Sequence, residues 1–336
     1  MARGSRRLGA QMTSTDPEFL AGIWNRAVGK AFPVTPALMA EITTCDPSFE
    51  PGDLLFGGAQ GEWPHGFAVA KRFRRQVLGG ERYADAGFVS LLAVDPPFAG
   101  HGLGSALLAA AEEGLRRQGA TRAILGGSFF HAVPGVPSDL ASAAGFFERA
   151  GYGAGKTVWD VARDVKGFSV PPEVPAALAA GGIEARLVVT ERSMSYEPVQ
   201  TAALLEFLAA EFPGRWLFDV AFALGRPEAR ASVVVLFDGS RAVGFAHVHP
   251  PRSPGTRRWQ GFDADVAAIG PVGVARAYQG RGLGLAVVAI ATDVLRKQKA
   301  RRVVIDWTDL LGFYGRLGFT PWLSYQLMEK PLVPSS

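Results

Sequence analysis

The stretch 270-GPVGVARAYQGRGLG-284 places glycines at 280, 282 and 284, between an interrupted apolar segment and a long helical one. Glycine lets the backbone approach a ligand closely. The N–H groups at the start of the helix have no helical partners and carry the positive end of its dipole. A turn of this kind suits phosphate. The spacing is G-x-G-x-G, not the dinucleotide G-x-G-x-x-G, and no GK[ST] follows as in a P-loop. A glycine-rich turn can also serve packing alone, so its surroundings decide the reading.

The first of those surroundings is a repeat. AGHGLGSALL (99–108) resembles QGRGLGLAVV (279–288), and GFFERAGY (145–152) resembles GFYGRLGF (312–319). Two motifs recurring in the same order imply a duplicated domain. The first copy holds thirteen more residues between them, filled by SFFHAVPGVPSDL (128–140). A Pro- and Gly-bearing insert of this kind is a candidate functional loop. The boundary falls in 167–184, where Pro and Gly break periodicity, giving expected domains 1–167 and 168–336.

Each copy reads alike. The second predicts a strand at 183–189, a helix at 197–212, a hairpin at 232–250 turning on DGS and an interrupted strand at 264–274. A helix at 282–299 follows, with Leu283, Val287, Ile290 and Val294 on one face, then a buried strand at 301–307, a short helix at 309–318 and a last strand at 322–330. The first copy predicts strands at 53–59, 66–73 and 87–94, a helix at 103–119, a strand at 122–127, a helix at 138–151 and a strand at 157–165. Strands and helices in this order, with hairpins, give a mixed α/β sheet.

Composition narrows the classes. The 336 residues suit two domains, and 48% hydrophobic with 20% charged residues is ordinary for a globular chain. The net charge is +4 and the basic residues are scattered, with short clusters such as RFRR (72–75), Arg116/Arg117 and Arg301/Arg302. No basic stripe with interleaved aromatics points to nucleic acid. Cys45 is the only cysteine, so no intrachain disulfide or thiolate zinc site can form. The basic N-terminus MARGSRRLGAQM lacks an apolar continuation, and no apolar run reaches the ~18 residues of a membrane span. A cytoplasmic protein, monomeric or homodimeric, is expected.

The interrupted strand, glycine loop, long helix, strand and GFYGRLGF together resemble the GNAT acyltransferase superfamily, and the resemblance covers both halves. It implies an α/β fold of two tandem domains, each a mixed, mostly antiparallel sheet with a splayed central strand pair flanked by helices. In that family the pattern [RQ]-x-x-G-x-[GA] binds the pyrophosphate of acyl-CoA through backbone N–H groups. Gln279, Gly280, Arg281, Gly282, Leu283 and Gly284 match it. The interrupted strand around Ile269–Val274, with Val272 and Val274, is expected to pair with pantetheine and to offer an N–H to the thioester carbonyl. Tyr314 stands where family members place the acid that protonates the leaving thiolate.

The attacking amine needs a base. Asp306, Asp309, Asp265, His247 and His249 are candidates; Asp306, which closes the strand before the tyrosine helix, is the site residue preferred. Asp309 or Thr308 could simply cap that helix. His247 and His249 alternate on a strand and share a face, but a metal site would need a third ligand. In the first copy Gly100, Gly102 and Gly104 persist as candidate phosphate ligands, whereas Ala99 replaces Gln279 and Phe147 replaces Tyr314. The first half is therefore expected to be catalytically weak and to shape the site or support the pair.

The resemblance implies acetyl-CoA as the acyl donor and a small-molecule primary amine as acceptor. The insert and GFFERAGY also resemble tandem GNAT proteins that acetylate amino sugars, with Trp63, Trp216, Trp259 and Trp307 available to sugar faces. A peptide or protein amine, or an acyl-CoA sensor without turnover, are the alternatives.

Overall fold

The computed structural model of the chain describes residues 15–58, 63–73, 80–190, 198–225 and 231–332. The basic N-terminus, Arg74 and Arg75 of RFRR, and Ala59 and Glu197 at the ends of expected elements lie outside the described residues.

The first half opens with two helices, α1 (Pro17–Ala27) and α2 (Pro36–Ile42). Each starts on a polar cap followed by proline. Asp16 Oδ1 accepts from Glu18 N at 2.9 Å, and Thr35 Oγ1 from Leu38 N at 3.2 Å. Strands β1 (Leu54–Gly57), β2 (Gly66–Lys71) and β3 (Ala86–Val94) follow, then α3 (Leu103–Arg117), β4 (Arg122–Leu125), the two-residue β5 (Val136–Pro137), α4 (Ala141–Arg149) and β6 (Gly153–Asp164). The second half runs α5 (Glu173–Gly181), β7 (Ile183–Thr190), α6 (Pro198–Glu211), α7 (Arg215–Leu224), β8 (Ala231–Asp238), β9 (Arg241–His249) and β10 (Val266–Val274). It ends with α8 (Leu283–Lys297), β11 (Arg302–Thr308), α9 (Leu311–Gly315) and β12 (Thr320–Pro331).

The sheet order is β1-β2-β3-β4-β12-β6-β11-β10-β9-β8-β7, with β5 against β12. Among the described residues only β3–β4 and β10–β11 are parallel, each joined across a long helix. Each half ends on a strand that lies beside the other half. The first half's β6 pairs with β11 (Arg302↔Asp164 to Thr308↔Trp159), and the second half's β12 pairs with β4 (Glu329↔Ile124 to Pro331↔Arg122). One continuous mixed α/β sheet of mostly antiparallel strands results.

Period-two alternation covers both faces of this sheet. Ala68, Ala70 and Val89 pack under α3, while Phe67, Val69 and Leu91 pack under α1 and α2. In the second half Val234 and Leu236 meet α8, and Val233, Val235 and Phe237 meet α6 and α7. Leu295 and Val287 of α8 are fully buried, and truncating such a leucine to alanine costs about 2–5 kcal/mol.

Four helices stand where none is read from the sequence. α5 occupies the Pro/Gly-rich boundary: Pro175 falls in its first turn, where it removes no helical hydrogen bond, and Gly182 at φ 63° stops it. α1 and α2 precede the first expected strand, and α7 lies between α6 and β8. The short helix expected at 309–318 is trimmed to Leu311–Gly315, with Gly318 at φ 77° beyond it.

Candidate functional site

The site grows from a defect in β10. Its first four residues pair with β11 (Val266↔Arg302 to Ile269↔Ile305). Beyond Ile269 the two strands no longer pair. Pro271 offers no N–H to a ladder, and the register of β10 against β9 shifts between Ile269 and Val272. Asp306, next on β11, turns its carboxylate into the gap: a Cβ on Gly270 would lie 2.8 Å from Asp306 Oδ1.

The gap widens into a cleft of about 420 Å³. Gly270, Pro271 and Val272 form one wall, and Asp306–Leu310 with Tyr314 another. Arg215, Trp216 and Asp219 of α7 close it, together with Arg258 and with Tyr83 of the first half. Tyr314 is buried, and that burial, reinforced by Asp306, pushes its phenol up to about 12, so it keeps its proton at neutral pH.

A smaller pocket of about 180 Å³ adjoins the cleft and shares Arg215, Asp219, Arg258 and Gly270 with it. Its walls include Phe129, Phe130 and His131 of the 128–140 insert and His247 and His249 of β9. The insert is clamped by two cations, one from each half. Arg215 donates to the carbonyls of Gly127 (3.2 Å), Ser128 (3.2 Å) and Phe129 (3.1 Å). Lys71, 2% exposed and paired with Asp46, donates to the Phe130 carbonyl at 3.1 Å. Phe129 stacks on Phe218 of α7 with centroids 4.6 Å apart.

The charges in both spaces are paired. Arg258 meets Asp306 at 2.8 Å, Arg215 meets Asp219 at 3.3 Å and Arg257 meets Glu41 at 2.7 Å. His131 sits between Arg215 (2.8 Å from Nδ1) and Arg258 (2.7 Å from Nε2). A neutral imidazole accepts at one nitrogen and donates at the other, so only one of these contacts is a hydrogen bond. Burial and the two guanidiniums hold its pKa well below the usual value. His247 and His249 face each other at 4.1 Å and are held neutral mainly by burial. His249 Nε2 lies 2.9 Å from the Gly270 carbonyl and must donate to it, and His247 Nδ1 is buried without a partner. Among the described residues no group of three His, Cys, Asp or Glu could hold a metal ion.

Beneath the cleft Asp160 of β6 is buried in the sheet. It accepts from Trp259 Nε1 (2.9 Å), Trp307 N (3.1 Å) and Tyr325 Oη (2.9 Å). Burial, with Asp306 nearby, raises its carboxyl to about 6. Trp307 holds a left-handed φ of 48°, a conformation that costs a non-glycine residue about 1–3 kcal/mol. Its N–H bond to Asp160 helps to fix it there.

The glycine loop sits at the start of α8. Gly280 (φ 76°) and Gly282 (φ 79°) need glycine for their backbone conformation, whereas Gly284 packs closely on α9, where a Cβ would lie 3.3 Å from Phe313. Gln279 turns its amide back to the Val274 carbonyl at 3.3 Å, and the Arg281 side chain lies over Tyr278. Leu283 is in the core, so only its N–H can face a ligand; Val274 is buried too, and of the two valines only Val272 lines the cleft. The first-half loop repeats the shape, with Gly100 at φ 80°, Gly102 at φ 85° and Gly104 packed near Phe146.

The cleft brings together Asp306, Tyr314, Val272, Trp216 and Trp307. Asp309 sits at the rim in an exposed pair with Lys156, and Thr308 rather than Asp309 accepts the Leu310 N–H, at 3.0 Å. Asp265 is exposed against Arg252 and lines neither space. Trp63 packs on Phe19, and Trp259 is buried against Asp160. Sequence reasoning missed Arg215, Asp219, Arg258, His131 and Asp160. RWLFDVAFAL between Gly214 and Gly225 is an amphipathic signal that could have revealed α7, and the insert at 128–140 marks the loop that carries His131; nothing local marks Arg258 or Asp160.

The acetyltransferase (GNAT) family model matches residues 37–152 and 201–319. A mycothiol acetyltransferase of Corynebacterium glutamicum is 34% identical over 104 residues, which span 30% of this chain and 32% of that relative. Among solved structures, a GCN5-related glucosamine N-acetyltransferase region of a fungal multi-domain beta-N-acetylglucosaminidase matches with TM-score 0.79 and 25% identity, over 94% of this chain and 37% of that one. A tandem GNAT protein from the clavulanic acid biosynthesis pathway matches in fold, with TM-score 0.60, 18% identity and coverage of 97% of this chain and 98% of that one. With the family model matched in both halves and a parted β10–β11 pair below a glycine-started helix, the chain belongs to the acetyltransferase (GNAT) family.

Proposed function

We propose that the chain moves an acetyl group from acetyl-CoA to the primary amine of a small molecule, an amino sugar being the acceptor best supported. The observation that carries this reading is the placing of Asp306 and Tyr314 around one cleft, at the point where β10 and β11 part. The loop from Gln279 to Gly284 would hold the donor's pyrophosphate. Among the described residues nothing stands over Gly280, and Gly282 has Ala177 near it, at 3.6 Å. Val272 would pair with the pantetheine arm, and a backbone N–H of the parted strand would polarise the thioester carbonyl.

The amine nitrogen attacks that carbonyl and the carbon–sulfur bond breaks. Tyr314, protonated at neutral pH, gives its proton to the departing sulfur. Asp306 accepts the proton that the amine loses. The adjoining pocket suits the rest of the acceptor, with Phe129 and Phe218 as apolar walls and Glu41, Asp219 and His249 as polar groups. The glucosamine N-acetyltransferase region at TM-score 0.79 supports an amino sugar.

The first half is read as a support. Register places Gly126 at the position of Asp306, since Ala86↔Arg122 and Val266↔Arg302 are equivalent pairs. Phe147 fills the Tyr314 position. The test is release of free coenzyme A from acetyl-CoA with glucosamine and a panel of other primary amines. Turnover on an amino sugar is expected; binding of acetyl-CoA with no turnover on any amine would favour a sensor instead.

A further inference from the structure

A second hollow borders the cleft at Tyr83 and Trp307. We propose that the first half holds a subsite for an uncharged, apolar group carried by the acceptor beside its amine. The proposal rests on the reading of the Asp306–Tyr314 cleft as the transfer site.

Tyr83 and Trp307 line that cleft, and both also line a hollow of about 660 Å³ on the first half. Its walls are Phe88 of β3, Ile124 of β4 and Leu327 and Met328 of β12. The hollow exists because of the sequence at the start of β6. Gly153, Ala154 and Gly155 bring no side chain larger than a methyl, so nothing fills the space beside β12. Ile124 and Leu327 stay only half-buried as a result.

The chemistry of the walls selects the occupant. Apolar side chains dominate, and the charged members are Lys156 and Glu329. Lys156 reaches Asp309 at 2.6 Å, tying the hollow to the cleft across their shared rim, with both side chains substantially exposed. An exposed pair contributes only about 0–1 kcal/mol, so it opposes an acceptor lying across that rim only weakly. The hollow meets the cleft at Tyr83 and Trp307 and not at Val272 and Tyr314, where the donor's arm and sulfur would lie. Its occupant therefore belongs to the acceptor. An amine joined to an aromatic or aliphatic aglycone would place the amine by Asp306 and the aglycone against Ile124 and Leu327.

The test compares glucosamine with phenyl and hexyl glucosaminides in the full chain with acetyl-CoA. Burying the aglycone is expected to lower KM by about tenfold or more, and Ile124→Glu and Leu327→Glu are each expected to erase that gain while the KM for acetyl-CoA holds. A second readout needs no turnover: calorimetry with phenyl glucoside, which lacks the amine, should show binding that both variants abolish. Binding of this kind without acetyl transfer would leave the subsite standing and sink the transfer reading. An aglycone that gives neither a KM gain nor binding would overturn the subsite, as would a gain that survives both variants. Sensitivity of octanoyl-CoA, and not of the glucosaminides, to Leu327→Glu would reassign the hollow to the donor and equally overturn it.

Discussion

The two halves share a backbone and differ in what they hang on it. Both contain a parallel strand pair that parts after four residue pairs, a helix started by a left-handed glycine, and a short aromatic-bearing helix after the second strand. In the second half the parted strands carry Asp306, and α9 carries Tyr314. In the first half Gly126 and Phe147 stand there. The first half also bridges its own gap, where Ser90 meets Ser128 at 3.3 Å. Its insert then leaves home and packs on α7 of the other half. Duplication has kept the scaffold twice and the candidate chemistry once, with the spare copy's loop walling the pocket of its partner.

Substitutions can break this comparison. The largest effect expected is from Tyr314→Phe, which should lower kcat by about 100-fold or more with the KM for acetyl-CoA unchanged. Phe147→Tyr in that background should restore nothing, because Gly126 supplies no carboxylate. Unchanged turnover in Tyr314→Phe would end the assignment of the acid to the second half. Arg215→Met comes next. It releases two carbonyls of the insert and that of Gly127 just before it, and steady-state kinetics should show an acceptor KM raised by about tenfold with donor KM held.

Paired glycine substitutions sharpen the comparison further. Gly102→Ala and Gly282→Ala each force a Cβ into a left-handed conformation and should each destabilise by about 1–2 kcal/mol in denaturant unfolding. Only Gly282→Ala should also raise the KM for acetyl-CoA; an equal rise with Gly102→Ala would show that the first loop binds donor too. The smallest effect concerns Asp160. Its folded carboxyl is raised to about 6, so the folded state holds a proton that the unfolded state has released. Stability from this group is present at low pH and is lost as pH rises through about 6. Relative to Asp160→Asn, the wild-type chain should lose about 1–2 kcal/mol between about pH 5 and pH 7, read from denaturant midpoints.

Much of this organisation was legible in the chain. Hairpins, the interrupted strand and the long helices announce themselves by period and by glycine, because those signals act within a few residues. Asp306 and Tyr314 could be singled out because they follow the glycine loop at a readable distance. α5 was masked by prolines that fall where a helix tolerates them. Asp160 could not be read at all, since DVARD (160–164) looks like any strand end until Trp259, Trp307 and Tyr325 converge on it from far along the chain.

The sequence by itself determined the duplicated α/β scaffold, the glycine loop and the loss of a hydroxyl and a glutamine from the first copy. Those are properties of local pattern and of residue identity. Only the tertiary structure decided that β6 and β12 lie beside each other's halves, that the insert serves the opposite half, and that Arg215 and Lys71 hold it from two sides. Strand partners and buried ion pairs join residues as far apart in the chain as Glu112 and Lys330, and their free energy depends on burial that exists only once the sheet has closed.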